Sequence, residues 1–243
     1  MGSSRKTAVV AGVFFVIAAV AAIVAKVLWQ PVLGDPDYVL GTGTDTRALF
    51  GGLFEFLTAA TVAGTAVALY PVVKRQHSGV AVGYVCGRVL EATTIVVGLA
   101  AVLSVVMLRQ HHAGAPSGDD GALVAGQAAL VALHDAMFLL GPGLIIGINS
   151  LLLAYLMYRS GLVPRWIAVI GLVGGPLVFA SSTAVLFGLY EQVSVVAGVG
   201  ALPVAAWEMC LAFYMIIKGF RPSPLLTPDT LPPAEQPTPV TAS

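Results

Sequence analysis

Charge is what this sequence has least of. Only 10% of its 243 residues are Asp, Glu, Lys or Arg, against about 25% in an ordinary soluble domain. So little charge cannot keep a globule of this size in water, so lipid must be the solvent for most of the chain. The formal net charge is zero, which excludes the basic excess that a nucleic-acid partner requires. Cysteine is equally scarce. Cys86 and Cys210 both sit inside apolar runs and read as small packing residues, neither a disulfide nor a metal pair. There is no phosphate-binding loop, HExxH, GxSxG or CxxC, so the sequence points to no cofactor and no metal. His111-His112 with Asp119-Asp120 lacks a recognisable ligand spacing. What the chain has in abundance is apolar side chains, 58% of all residues, with a mean hydropathy of +0.91.

A helix needs roughly 20 apolar residues to cross roughly 30 Å of hydrocarbon. Six stretches qualify, near 8–29, 48–72, 80–108, 131–158, 164–189 and 194–217. The fold class expected is therefore an all-α bundle of six transmembrane helices occupying 1–221. The first run, Thr7 to Leu28, is too long for a signal-peptide core and has no clean small-residue cleavage site, so it reads as a retained anchor. Residues 122–140 are also apolar. Counting them as a seventh span would leave almost no loop before the next helix. One long fourth helix, kinked at Gly141-Pro142-Gly143 because Pro142 has no N–H to donate, accounts for them better. Its first part, 122–130, would protrude or lie on the interface.

The connections carry the remaining signals. Residues 30–46 hold Pro, Gly and three aspartates and read as non-helical. Residues 73–79 and 159–165 are short basic turns, and 109–121 are polar and Gly-rich. The Pro-rich stretch 222–243 reads as a disordered tail. With both ends in the cytoplasm, the inner set of basic residues is Arg5, Lys6, Lys74, Arg75, Arg159, Arg165, Lys218 and Arg221. The outer set is only Lys26, Arg47 and Arg109, and the outer loops hold aspartates and Glu191. That alternation follows the positive-inside rule.

Several strings in order, RKTAVVAG at 5–12, ALYPVVKR at 68–75, GYVCGRVLEA at 83–92, HDAMFLLGPG at 134–143, YLMYRSGLVPRWIAVIGLVGGPL at 155–177 and IIKGFRPSP at 216–224, resemble a bacterial six-span membrane family catalogued only as a domain of unknown function. The resemblance covers nearly the whole chain except the tail. It implies six helices in a bacterial cytoplasmic membrane. It implies no activity.

Function has to be argued from the ionisable residues inside the spans, since each costs roughly 2.5–3.5 kcal/mol at mid-membrane. In the second span Arg47, Gly51, Glu55, Thr58 and Thr65 form one stripe, either a cavity wall or a helix seam in which Glu55 pairs with Arg47 or Lys26. In the third, Tyr84, Arg88, Glu91 and Thr94 share a face, and Arg88 and Glu91 are spaced to pair. In the fourth, His134-Asp135 lies above the Pro142 kink, and Asn149 lies four turns below Asp135, close to its face. In the sixth, Glu208 stands beside Trp207 with no basic residue one turn away. Its nearest candidate partner is Arg88, if those helices touch; alone in lipid, it would carry a proton.

Three readings follow. A bundle enclosing Arg88, Glu91, Glu208 and Glu55 would bind or transport a hydrophobic or amphiphilic small molecule, with a glutamate coupling a proton. Arg47, Tyr84, His134, Asp135, Asn149 and Trp207 would complete the ligand surface. The two halves show no internal repeat, unlike most transporters; a homodimer would enlarge the pathway. The second reading is an enzyme acting on an isoprenoid or other lipid, with Glu208, Glu91 or Glu55 as general acid. Glu55 and Glu208 are faintly similar in placement to the two acids of small membrane-bound terpene cyclases, which usually have seven spans. The third is a structural or regulatory membrane protein with no cavity. In each, membrane lipids are the immediate neighbours.

Overall fold

A computed structural model describes residues 3–42, 44–112 and 120–226. Six helices cover most of them: α1 (Ser3–Gly34), α2 (Thr46–Val73), α3 (Ser78–His112), α4 (Asp120–Ser160), α5 (Arg165–Leu186) and α6 (Val195–Ile217). All six are long and apolar enough to cross a bilayer, and there is no strand among the described residues. The protein is a multi-pass, all-α membrane protein. Its exposed surface fits that solvent: Val20 and Val27 on α1 and Val195, Val199 and Leu202 on α6 are all more than half exposed.

The helices form a closed ring in chain order. Each packs on the next, and α6 returns to α1. Small residues set the closing contact. A Cβ on Gly12 would lie 2.7 Å from the Ala212 carbonyl oxygen, so α1 and α6 approach there to a distance that only glycine allows. Farther round, Gly171 seats the Trp207 indole of α6, which would stand 2.6 Å from an added Cβ.

Helix boundaries follow local chemistry more closely than hydropathy. Helix α1 continues through Pro31 to Gly34, five residues into the stretch expected to be non-helical. Pro31 has no N–H for the Val27 carbonyl. Arg47 supplies the donor instead, Nη2 to Val27 O at 2.8 Å, so the carbonyl that Pro31 leaves open is satisfied from the start of α2. Helix α5 ends at Leu186, short of the expected 189. Gly188 takes φ +72°, and the Gly188 and Leu189 amides bond back to the Val185 and Ala184 carbonyls, the paired closure of a Schellman motif. The Ser194 hydroxyl opens α6 by accepting from the Ala197 amide at 3.2 Å, a side-chain N-cap.

Helix α4 runs unbroken from Asp120, with residues 139–145 wound as a π-helix around Pro142. The wider turn absorbs the missing proline donor. The early part of α4 is held at the acidic end of the bundle. Buried Gln127 donates to the Asp35 carbonyl at 2.6 Å and accepts from the Val39 amide at 2.8 Å. The same end carries a clamp on Asp45. Arg109 Nη1 lies 2.8 Å from its carboxylate, and the Tyr38 hydroxyl donates to it at 2.7 Å. Burial pushes the Tyr38 phenol above its ordinary value of 10.0.

The opposite end gathers the basic turns. Arg5 on α1 donates to the Ile217 carbonyl at the end of α6 at 3.0 Å, so the start of α1 and the end of α6 lie at this face. Residues 222–226, assigned above to the tail, bond to the body: Ser223 Oγ donates to Ser160 O at 3.4 Å, and Arg75 Nη1 donates to Leu225 O at 2.8 Å. Residues 227–243 lie outside the described residues. Neither cysteine forms a disulfide. Cys86 is exposed on the bundle surface, so it is not the packing residue expected, and Cys210 is half-buried.

Candidate functional site

The ring leaves an interior, and the sequence places most of its intramembrane charge there. Arg88 lies ten residues into α3, ~15 Å from the basic end at 1.5 Å per residue. Glu208 lies nine residues before the end of α6, ~14 Å from the same end. The two residues therefore stand at matching depth. Arg88 Nη2 bonds to Glu208 Oε1 across the interior, although α3 and α6 do not pack side by side. Its other terminal nitrogen, Nη1, lies 3.2 Å from Glu91 Oε2, one turn on. Asn149 of α4 completes the set, donating Nδ2 to the same Glu91 oxygen at 2.7 Å.

Arg88, Glu91 and Asn149 are essentially inaccessible, while the Glu208 side chain retains 16% exposure. The Arg88 guanidinium also lies 5.3 Å from the Phe15 ring and 5.8 Å from the Tyr84 ring, within range for cation–π attraction. Two glutamates and two aromatic faces thus hold one buried cation. Two polar atoms of the cluster have no partner among the described residues, Arg88 Nε and Asn149 Oδ1.

Above this cluster, toward the acidic end, lies a cavity of about 520 Å³. Its deep end is Arg88, Glu91, Glu208 and Phe15; its walls include Ala22 and Trp29 of α1 and Glu55 and Thr58 of α2. Phe138 and Pro142 of α4 close the side, and Glu191 and Gln192 lie at the upper end. From α6 the lining takes Glu208 alone. Glu55 lines the wall with no hydrogen bond and no ion pair among the described residues. Of the two readings of this stripe, the seam in which Glu55 pairs with Arg47 or Lys26 does not form. Arg47 is occupied by the Val27 carbonyl, and Lys26 Nζ sits 5.9 Å over the Phe138 ring.

The sequence candidates thus divide. Glu208, Glu91, Glu55, Arg88, His134 and Asp135 line the cavity. His134 is buried, with Nδ1 3.4 Å from Gly98 O and its ring edge-on to Trp29 at 5.5 Å; Asp135 beside it is exposed at the cavity wall. Tyr84 lies behind the wall, fully buried, sharing a hydrogen bond with Thr65 at 3.3 Å. Asn149 does not line the cavity with Asp135, because the intervening π-helix turns more slowly than an α-helix and moves Asn149 round to face α3. Arg47 and Trp207 are not in the lining: Arg47 donates to the Val27 carbonyl, and Trp207 is clamped against α5. His112 Nε2 lies 3.7 Å from Asp120, and Asp119 lies outside the described residues; no group of three metal-binding side chains occurs among those described.

Sequence reasoning missed Lys26, Glu191, Trp29 and Phe138 as cavity residues. Glu191 had been counted only as a loop charge, and Lys26 only as an outer basic residue and a candidate partner of Glu55. Lys26 was findable, because it falls inside the uninterrupted apolar run of α1. The aromatic pair left no signal, since Trp and Phe are ordinary lipid-facing residues. No curated protein and no solved structure matches the chain. The sequence pattern of one family does match, over residues 10–219, and the chain belongs to that family, described as "Domain of unknown function (DUF4386)".

Proposed function

We propose that this protein binds a hydrophobic or amphiphilic small molecule inside the bundle and carries it within or across the membrane. The observation that supports the reading is the cavity of about 520 Å³ ending on Arg88, Glu91 and Glu208. Its size falls in the ~300–1,000 Å³ range of drug-sized ligand sites, and apolar walls with a few convergent polar groups are what such sites have. A purely structural bundle has no need to keep this space open in mid-membrane.

Of the three acids named for the enzyme reading, Glu208 and Glu91 are both ion-paired with Arg88, which leaves Glu55 as the acid without a partner among the described residues. Proton coupling, in this reading, falls to Glu55. The basic face is cytoplasmic by the positive-inside rule, which opens the upper end of the cavity toward the outside of a cell membrane. The cavity of a single chain is sufficient for binding, and a homodimer would lengthen the route.

The test fills the space. Ala22 lines the cavity, so Ala22→Phe should occupy part of it without touching the ion pairs. In lipid nanodiscs, a neutral naphthylamine dye should take up excitation energy from Trp29 in the native protein. It should fail to do so in Ala22→Phe at unchanged melting temperature. Equal transfer in both proteins would place the dye in the surrounding lipid and overturn the reading.

A further inference from the structure

We infer that the ligand of this cavity is a lipophilic cation, an inference that rests on the binding function just proposed and names its chemical class. The charges facing the space are two basic groups, Lys26 and Arg88, against five carboxylates. The Arg88 charge is already overmatched, because Glu91 and Glu208 both lie on it. An anionic ligand would therefore meet a deep end whose net charge is negative. Glu55, Asp135 and Glu191 remain, with Lys26 alone to set against them. None of these three side chains forms an ion pair among the described residues.

The walls point the same way. Trp29 and Phe138 line the cavity, and Phe138 already attracts the Lys26 ammonium. Aromatic faces stabilise a cation that has shed its water, by roughly 0.5–2 kcal/mol each, and they do nothing comparable for an anion. An acid without an ion-pair partner, in a cavity that Trp29 and Phe138 also line, offers the pairing that quaternary and other lipophilic cations require. The deep end adds a second feature independent of the acids. Arg88 Nε is buried at the cavity floor with no acceptor. This donor needs a neutral oxygen, from water or from the ligand, since the charge of Arg88 is already satisfied.

Two probes of the same shape and opposite charge make the test. Tetraphenylphosphonium and tetraphenylborate are titrated by equilibrium dialysis against the full chain in phosphatidylcholine nanodiscs, with protein-free nanodiscs subtracted. The phosphonium should bind the protein saturably and at least about tenfold more tightly than the borate, a difference that interfacial charge complementarity readily supplies. Glu55→Gln should weaken the phosphonium by about tenfold at unchanged melting temperature, and Glu55→Asp should recover part of the loss. Equal or tighter binding of the borate overturns the cation assignment and leaves the binding function standing. So does binding of the neutral dye alone. If neither ion nor the dye binds above empty nanodiscs, the binding function fails with it. If the phosphonium binds equally well to Glu55→Gln, the site is not the one described.

Discussion

The Arg88 guanidinium reaches Glu208 across the interior of the bundle from a helix that does not pack against α6. This bond ties opposite sides of the helical ring, and Arg88 is its only cationic member. Arginine does not lose its proton in proteins, whereas a glutamate deprived of its partner can take one up. Arg88→Ala leaves two carboxylates together in a buried site and should cost about 3–5 kcal/mol, the usual range for breaking a buried pair. Glu91→Gln keeps polar contacts to Arg88 and Asn149 and should cost about 1–3 kcal/mol. Arg88→Lys should rescue little, because one ammonium cannot reproduce two directed N–H pairs. Thermal melts in a mild detergent decide the order; equal, small losses would mean that Arg88 reaches water.

Glu55 should behave in the opposite way. Its carboxyl has no partner among the described residues and faces the cavity. Removing its ionisable group releases nothing else. Glu55→Gln should therefore change the melting free energy by no more than about 0.5 kcal/mol, the scale of substitutions away from structural features. A large loss would reveal a structural partner and remove Glu55 as the free group of the site.

The six helices were legible because the physics that selects them is coarse. Twenty apolar residues in a row leave the chain little choice, and basic turns mark the helix pairs. The pairing of Arg88 with Glu91 was legible from spacing, and its partnership with Glu208 was legible as a demand: a charge at that depth needs a countercharge. Details that depend on single hydrogen bonds were not. Nothing in the sequence says that Arg47 replaces the donor missing at Pro31, so Arg47 was taken for a site residue. Nor does helical spacing foresee the π-turn around Pro142, which moves Asn149 away from Asp135 and onto Glu91. Trp207 was misplaced for a related reason. Its neighbour Glu208 faces the interior, but adjacent helical positions face different ways, and Gly171 of α5 takes the indole.

Gly87 tests how tightly the cluster is built. A Cβ there would fall on Asn149 Oδ1, whose Nδ2 holds Glu91. Gly87→Ala should displace the amide and cost about 1–3 kcal/mol, the range for overpacking. Asn149→Ala in the same chain should relieve the clash, so the double variant should melt higher than the sum of the single losses predicts. Strict additivity would show that α3 and α4 do not meet at this point.

The orientation is testable at the two faces of the ring. Arg5, Arg75, Arg159, Arg165 and Arg221 lie at one end, and Asp35, Asp37 and Asp45 belong to the other. Alkaline phosphatase is active only outside the cytoplasm. Fused after His112 it should be active, and fused after Gln76 it should be silent. The reverse pattern would put the basic face outside and invert the access route to the cavity.

The acidic end should open in alkali. Tyr38 donates its hydroxyl to Asp45 at 2.7 Å, and Arg109 holds the same carboxylate. The phenol is pushed above 10.0 chiefly by burial, with the Asp45 hydrogen bond adding to it. A group whose folded value is raised binds its proton more tightly folded than unfolded. Its contribution is therefore complete below the unfolded value of about 10 and is lost as pH rises through the folded one. Hydrogen exchange at the Val39 and Leu40 amides should stay slow through neutral pH, after correction for the intrinsic rise of exchange with base, and accelerate only above about pH 10. Tyr38→Phe removes the titrating group and should abolish that step while raising the exchange rate at neutral pH. A step that persists in Tyr38→Phe would assign the opening to another group, and the clamp on Asp45 would then not depend on Tyr38.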